Sequence, residues 1–363
     1  MLKAKFVHEA AKACDDCHQV ASIPHPQKGQ KTFNLAQERS ELCKSCHPEK
    51  TDLKYMHGPT AVGDCTACHM PHDSDNKALL VTKGNDLCFT CHGTIQDEVK
   101  KKLVHAALEE GCTSCHNPHG SPFKKMLTAE GGKLCYQCHS QVGERIEKSK
   151  SVHAPVKTAM ACASCHAPHA SDEGKLLSKA GKDLCLGCHK TVLKKNQTVL
   201  HGPIKEGKCT PCHDPHGAPN AKLLVKGFPT DLYVPYNDNA YPLCFSCHNR
   251  DFLRFPDTSF ATGFRDGDRN LHFLHVNKKE KGRSCKSCHN VHASELPKLV
   301  SDKVLFGKWD LPLKYIKSET GGSCSPGCHK KYNYDRKTPG KEPEPVKPQE
   351  TGKPKETGKP KDK

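Results

Sequence analysis

The cysteines of this chain limit its possible folds more than any other feature. All 24 fall into twelve pairs, and each pair is followed directly by a histidine. Eleven pairs have the form CxxCH, and their residues are Cys14, Cys17 and His18; Cys43, Cys46 and His47; Cys65, Cys68 and His69; Cys88, Cys91 and His92; Cys112, Cys115 and His116; Cys135, Cys138 and His139; Cys162, Cys165 and His166; Cys185, Cys188 and His189; Cys209, Cys212 and His213; Cys244, Cys247 and His248; Cys285, Cys288 and His289. The twelfth, formed by Cys324, Cys328 and His329, has one extra residue between its cysteines. Disulfide frameworks and zinc sites also use paired cysteines, but neither requires a histidine after every pair.

The CxxCH pattern is the attachment signature of c-type haem. Its two thiols add to the vinyl groups of the porphyrin, and the adjacent imidazole becomes the proximal ligand of the iron. The spacing therefore predicts twelve haem c groups, bound through all 24 cysteines, with the twelve motif histidines as metal ligands. The wider loop that ends at His329 is the least typical of these motifs.

Thirteen further histidines recur at regular positions. The repeating pattern is a free histidine, a CxxCHxPH motif, a Leu-Leu or Met-Leu stretch, and an LCxxCH motif; it is clearest at His57, His69, His72 and His92 and in the two stretches that follow. Self-similarity at a fixed period is typical of repeat architectures. Six such repeats, the outer ones looser, each offer two haem motifs and two free histidines, which predicts bis-histidine ligation with one imidazole to spare.

The distal ligands are assigned by position within these repeats. They are predicted to be His8, His25, His57, His72, His105, His119, His153, His169, His201, His216, His275 and His292. His272 is the predicted spare, because His275 lies ten residues before Cys285, nearer to the spacing of the other repeats. The second histidine of CHxPH should reach a neighbouring haem, because the proximal imidazole already occupies one face of its own.

Two alternatives to this ligand set were weighed. A single histidine of this kind would more simply be a surface imidazole, but thirteen in register favour ligation. Methionine could supply the sixth ligand and raise the potential, but the five methionines occupy no repeating position.

The composition leaves too little apolar material for several ordinary cores. Only 35% of residues are hydrophobic and 6% aromatic, with 27 glycines, 26 prolines and a mean hydropathy of -0.72. The haems themselves are therefore expected to form the core. The predicted fold class is a haem-cored cytochrome of mostly irregular chain with short α-helices, built from six di-haem repeats with little or no sheet. No apolar run is long enough to span a bilayer.

The repeats divide the chain. A multihaem cytochrome region is predicted over residues 1–332, with repeats at about 8–47, 57–92, 105–139, 153–189, 201–248 and 272–329. An aromatic insertion at residues 228–273 interrupts the period and either packs on haem faces or docks a partner. Asp266, Gly267, Asp268 and Asn270 within it lack the spacing of a calcium loop. The Lys-, Glu-, Pro- and Gly-rich segment 337–363 is predicted to be a disordered tail, solvated or tethering.

The formal charge of +16 first suggests nucleic-acid binding. Each haem, however, brings two propionates of about -2 in total and a ferric core near +1, so twelve haems would leave the holoprotein at about +4 when oxidised and about -8 when reduced. The excess of Lys and Arg is therefore interpreted as compensation for propionates, and no nucleic-acid partner is expected.

The chain resembles the doubled-CXXCH multihaem c-type cytochromes of metal-reducing and related anaerobic bacteria. The resemblance covers about residues 1–332 and rests on motifs such as His57-Gly58-Pro59, Cys65 to His72 and Leu87 to His92. It implies an exported electron carrier of the periplasm, outer membrane or cell exterior, with redox proteins, a quinol-linked donor, a porin or an extracellular metal acceptor as partners. No apolar leader precedes Cys14, so a signal peptide is expected to be missing from this sequence.

Three functions were compared. Balanced numbers of haems and histidines favour electron transfer along a haem chain, with no catalytic residues. A multihaem reductase would need an iron with an open position, for which the histidine count gives no sign. A filament-forming cytochrome, with repeats stacked end to end, is neither favoured nor excluded by the sequence.

Overall fold

The computed structural model describes residues 2–21, 24–25, 27–48, 52–158 and 161–339. These residues divide into two compact lobes: those up to 190 together with 207–225 form the first, and 191–206 together with 226–339 form the second. The predicted fold class is confirmed, because the described chain is mostly irregular and its helices and sheets are small. The predicted disordered tail lies outside the described residues from position 340 onward.

The helices are short because glycine and proline recur throughout the chain. The α-helices are α1 Arg39–Lys44, α2 Gly58–Ala61, α3 Asn85–Phe89, α4 Gly93–Glu98, α5 Gly132–Tyr136, α6 Ser140–Lys148, α7 Gly181–Leu186, α8 Gly202–Lys205 and α9 Leu271–Val276. Single 3-10 turns cover Glu9–Lys12, Cys14–Asp16, Cys65–Ala67, Lys77–Leu79, Ala106–Glu109, Cys112–Ser114, Lys124–Met126, Ala154–Lys157, Ala161–Ser164, Gly174–Leu176, Ala221–Leu223, Cys244–Ser246, Asp251–Leu253, Cys285–Ser287 and Pro297–Leu299. Among the described residues, no helix combines the length and apolar composition needed to cross a bilayer.

The strands are two to four residues long. They are β1 Phe6–Val7, β2 His18–Val20, β3 Phe33–Leu35, β4 Tyr55–Met56, β5 Asp73–Ser74, β6 Leu103–Val104, β7 Gly120–Ser121, β8 Ser151–Val152, β9 Ala170–Ser171, β10 Val199–Leu200, β11 Gly217–Ala218, β12 Arg265–Asp266, β13 Arg269–Asn270, β14 Ala293–Ser294, β15 Lys303–Phe306, β16 Trp309–Pro312, β17 Ile316–Lys317, β18 Gly321–Cys324 and β19 Tyr332–Asp335. All pairings are antiparallel, and β17, β18 and β19 form a three-stranded sheet.

The small strand pairs join sequence repeats to one another. In the first five repeats, the strand before the leading histidine pairs with the strand that follows the second histidine of a later CHxPH or CHNVH motif, as in β6 with β9, where Val104 lies opposite Ala170. The same arrangement pairs β1 with β5, β4 with β7, β8 with β11 and β10 with β14. Directly after β6, the backbone N–H of His105 donates to the carbonyl of His169 at 2.9 Å. Each pair thereby sets a leading histidine beside the motif of another repeat.

A left-handed turn begins nine residues after the first-motif histidine of the second to sixth repeats, at the Leu-Leu or Met-Leu stretch in the second to fifth and at Leu299-Val300 in the sixth. Two consecutive non-glycine residues have φ between 54° and 60° in each turn: Ala78 and Leu79, Lys125 and Met126, Lys175 and Leu176, Lys222 and Leu223, Lys298 and Leu299. This region costs an ordinary L-residue about 1–2 kcal/mol. A serine stabilises most of the turns, as where Ser121 donates its hydroxyl to the Leu127 carbonyl at 2.7 Å.

The second lobe also has a conventional core. Tyr241, Leu253 and Val276 are buried there, with Phe245 and Phe252 packed against them. Asn270 is fully buried and caps α9, since its side-chain oxygen accepts from the N–H groups of His272 and Phe273. Its amide group donates to the carbonyls of Phe252 and Phe255, which ties the helix to the aromatic insertion.

The left-handed turn gives a first prediction. Lys125→Val should lower the free energy of unfolding by about 1–2 kcal/mol, because a β-branched residue fits positive φ poorly. Lys124→Val is the matched control: this neighbouring lysine is equally exposed but is not in the left-handed region. Denaturant midpoints of the purified proteins test the difference, and equal midpoints would contradict it.

Candidate metal centres

Each CxxCH motif folds into one tight turn. In the motif of Cys112, the N–H groups of Cys115 and His116 both donate to the Cys112 carbonyl, at 3.3 and 3.0 Å. The same bonds recur at most of the other motifs. All 24 cysteines are free of disulfide bonds. The sequence therefore presents two thiols and one imidazole within a single turn, which is the arrangement that covalent haem attachment requires.

Among the described residues, histidine rings lie opposite one another, and eleven such pairs can be described. Their ring centres are separated by 5.9 to 6.5 Å, and most pairs are nearly parallel. The pairs are His8 with His47, His18 with His72, His57 with His92, His69 with His119, His105 with His139, His116 with His169, His153 with His189, His166 with His216, His201 with His248, His272 with His289, and His275 with His329. Every pair joins a motif histidine to a histidine outside the motifs.

The gap between paired rings fits an iron atom. Imidazole nitrogens bind metals at about 2 Å, so two opposed imidazoles on one iron have ring centres roughly 6 Å apart. Each gap offers two axial ligands, which is the number that a porphyrin-bound iron needs. The residues present therefore fit haem with two histidine ligands.

Two rules describe which rings meet. Histidines of LCxxCH motifs face the leading histidine of their own repeat, as His139 faces His105. Histidines of the first motif face the second CHxPH histidine of the next repeat, as His116 faces His169. In the first lobe this second kind of pair links consecutive repeats.

The left-handed turns aim a carbonyl group at the first-motif histidines. Their Nδ1 atoms lie 2.8 to 3.0 Å from a backbone oxygen nine residues further along the chain. These bonds join His69 to Ala78, His116 to Lys125, His166 to Lys175, His213 to Lys222, and His289 to Lys298. A bond from Nδ1–H fixes the tautomer and leaves Nε2 for a metal. The acceptor is always the first left-handed residue, a role that sequence reasoning missed although the nine-residue spacing is constant.

Several histidines outside the motifs are held in the same way. The Nδ1 atoms of His8 and His153 lie 2.9 and 3.0 Å from the carbonyls of Pro71 and Pro215, which are the prolines of CHxPH motifs. His275 bonds to the carbonyl of Leu271 at 2.6 Å. The CHxPH proline thus orients a second imidazole besides shaping its own turn.

Carboxylates approach two other rings. Nδ1 of His169 lies 3.5 Å from Glu98, and Nδ1 of His216 lies 3.5 Å from Asp214. Burial lowers the pKa of His216, and the Asp214 carboxylate works against this. Burial therefore favours the neutral, metal-binding form of the His216 imidazole, although a carboxylate lies beside it.

The structure separates His25 from the other predicted ligands. Its ring is exposed and lies 4.0 Å from the Phe33 ring, and its Nδ1 is 2.6 Å from the Thr32 hydroxyl. No second histidine ring faces it in the described part of the chain. His272, the predicted spare, instead faces His289. The ring geometry thus differs from the sequence-based assignment at these two positions, and both His272 and His275 lie in opposed pairs.

Helix α9 explains the difference. It carries His272 and His275 three residues apart, and its cap Asn270 fixes the start of the helix. The hydroxyl of Thr262 lies 2.9 Å from Nδ1 of His272. The pKa of His272 is lowered to about 3 by burial, followed by the nearby imidazoles of His289 and His275. Burial therefore keeps the His272 imidazole neutral.

Thiols of consecutive motifs interact with one another. Burial and the Cys65 and Cys17 thiols raise the pKa of Cys43 to about 11. In the first lobe, interacting thiols join Cys17 to Cys43, Cys43 to Cys65, Cys68 to Cys91, Cys88 to Cys112, Cys115 to Cys135, Cys135 to Cys162, Cys165 to Cys185, and Cys185 to Cys209. In the second lobe, they join Cys244 to Cys285 and Cys288 to Cys324. Each of these interactions between different motifs connects one motif to the next along the chain.

Comparison with known families agrees with the motif analysis. A model of the doubled CXXCH motif matches residues 57–97, 105–144, 153–194 and 201–252. A model of cytochrome c7 and related cytochrome c matches residues 2–70. No curated protein matches the chain.

The ring pairs predict that His272, and not His25, is an iron ligand. His272→Ala should expose one iron position and give a high-spin signal that changes when carbon monoxide is added to the reduced protein. His25→Ala is the control and should leave the spectrum unchanged, since its ring faces no other imidazole among the described residues. If His25→Ala gave the high-spin signal and His272→Ala did not, the assignment from the sequence, with His25 as a ligand and His272 as the spare, would be correct.

Proposed function

Starting from the multihaem c-type cytochrome that both family matches support, we propose that this chain carries twelve haem c groups and relays electrons between redox partners. When bound, haem supplies a one-electron couple in which ferrous iron of one group is oxidised as ferric iron of its neighbour is reduced, without transfer of a proton or another group. The polypeptide sets the spacing, ligation and exposure of these centres.

The observation that carries the proposal is the combination of ring pairs with ordered thiols. Eleven gaps of about the size of an iron atom each lie between two imidazoles, and the cysteines of consecutive motifs are neighbours. Thioether sulfurs mark the edges of porphyrins, so neighbouring sulfurs bring porphyrin edges close. The arrangement supports a chain of centres that follows sequence order within each lobe.

We assign the axial ligands from this geometry. The motif histidines are the proximal ligands, and the imidazoles opposite them are the distal ligands, with His272 in place of His25. His213 and His292 keep the ligand roles that their motif positions predict. With both axial positions filled, such an iron lacks room for a substrate, which favours electron transfer over substrate reduction.

The proposal extends to compartment and partners. Covalent haem attachment of this kind takes place outside the cytoplasm, so we place the protein in the periplasm, at the outer membrane or outside the cell. Its partners would be a quinol-linked donor or another cytochrome, and an acceptor that includes an outer-membrane conduit or extracellular metal. The excess of lysine and arginine would balance haem propionates.

Spectroscopy tests the proposed ligation. The oxidised holoprotein should contain only low-spin haem, and the reduced form should not bind carbon monoxide. Intact mass should correspond to twelve attached haems. Fewer than eleven haems would contradict the attachment motifs, and a stoichiometric high-spin signal would contradict complete bis-histidine ligation.

A further inference from the structure

The aromatic insertion surrounds one candidate metal centre, the one that includes His272, with buried side chains. The largest fully buried side chains among the described residues are Tyr241, Leu253, Leu271 and Asn270, and all lie in or beside this insertion in the second lobe. They pack around α9, which carries His272. The insertion was predicted either to pack against haem faces or to dock a partner, and in the structure it surrounds a candidate ligand.

Aromatic rings enclose His272 on two sides. The ring of Phe252 lies 5.0 Å from it, and the ring of Phe264 lies 5.1 Å from it in an edge-to-face contact. Phe264 also packs against His275 and Tyr334, at 6.0 and 5.1 Å. Phe264 therefore closes the space around the distal imidazole and cannot turn away without losing these contacts.

Comparable positions in the first lobe show the contrast. His116, His166 and His289 all bond through Nδ1 to the carbonyl of a left-handed turn, so their proximal sides match. Their distal partners differ. His169 and His216 have a carboxylate 3.5 Å from Nδ1, whereas Nδ1 of His272 meets the neutral hydroxyl of Thr262.

We propose that the aromatic insertion makes the position between His289 and His272 the highest-potential centre of the chain, where electrons collect. This inference rests on the proposed function, because it presupposes haem at that position. Ferric iron with two neutral imidazoles carries one more positive charge than ferrous iron. Apolar surroundings that exclude water penalise this charge and favour the reduced form, while a nearby carboxylate stabilises the oxidised form.

Thr262 adds to the effect as a positioning residue. Its hydroxyl oxygen accepts from the N–H of Phe264 at 3.0 Å and lies 2.9 Å from Nδ1 of His272, which would carry the proton and donate to it when Nε2 binds iron. A hydroxyl oxygen that is shared between two donors is a weaker acceptor than a backbone carbonyl. It therefore polarises the Nδ1–H bond only slightly. The imidazole consequently donates less electron density to iron than a carbonyl-bound or carboxylate-bound histidine.

A redox titration of the holoprotein, followed by absorbance and by the low-spin signals of paramagnetic resonance, tests this assignment. In His272→Ala, the low-spin signal that is reduced first in the wild type should be lost and a high-spin signal should appear. If the high-spin signal appears but a signal that is reduced later is lost, this inference is wrong while the proposed ligation stands. If no high-spin signal appears, the ligand assignment itself is wrong.

Two milder substitutions distinguish tuning from simple damage. Phe264→Ala admits water and should move the first-reduced component to lower potential. Thr262→Val removes the acceptor and should move the same component to higher potential, with Thr262→Ser close to the wild type. Local unfolding would not lower the potential of this component in Phe264→Ala and raise it in Thr262→Val while leaving the amount of low-spin haem unchanged.

Phe33→Ala is the matched control. The Phe33 ring lies 5.4 Å from the ring of His18 in the first lobe, outside the aromatic insertion. The substitution should leave the first-reduced component in place. A first-reduced component that moves in Phe33→Ala but stays fixed in both Phe264→Ala and Thr262→Val would overturn the proposal.

Discussion

The arrangement of this chain depends on one interaction, the opposition of two imidazoles across a gap of about one iron atom. Nearly every local feature holds one of these rings. The attachment turn presents the motif ring, the left-handed turn fixes its Nδ1 atom, and a two-residue strand pair places the leading ring against another repeat. A chain with so few apolar residues cannot stabilise such segments by side-chain burial alone, so we expect metal-bound porphyrin to supply the missing core.

The pairing rules also bear on the positions of His25 and His272. A second CHxPH histidine faces the first motif of the preceding repeat, whereas His25 lies outside any CHxPH motif and faces no other histidine ring among the described residues. His289, the first-motif histidine of the sixth repeat, does not follow this rule. Helix α9 supplies His272 from within the same lobe, and the aromatic insertion provides the buried core that holds this helix. An apparent interruption of the period thus completes the last repeat.

Much of this could be predicted from the sequence, because motif spacing fixes local chemistry. The CxxCH pattern identifies the attachment turns, scarce apolar residues indicate an irregular fold, and the crowded proximal face implies that the second CHxPH histidine turns toward a neighbour. The choice between His25 and His272 could not be made from spacing, since it depends on the packing of Asn270, Phe252 and Phe264 around α9. The left-handed turns were also missed, because lysine and leucine give no local sign of positive φ. The predicted domain limits stay predictions, and the tail lies largely outside the described residues.

An experimental structure of the haem-loaded protein, with iron atoms located by anomalous scattering, tests the central claim most directly. The account predicts one iron between each of the eleven ring pairs, including His272 with His289 and His275 with His329. Irons of consecutive motifs should be neighbours within each lobe. An iron bound by His25, or a motif histidine whose iron has no second imidazole, would contradict the account.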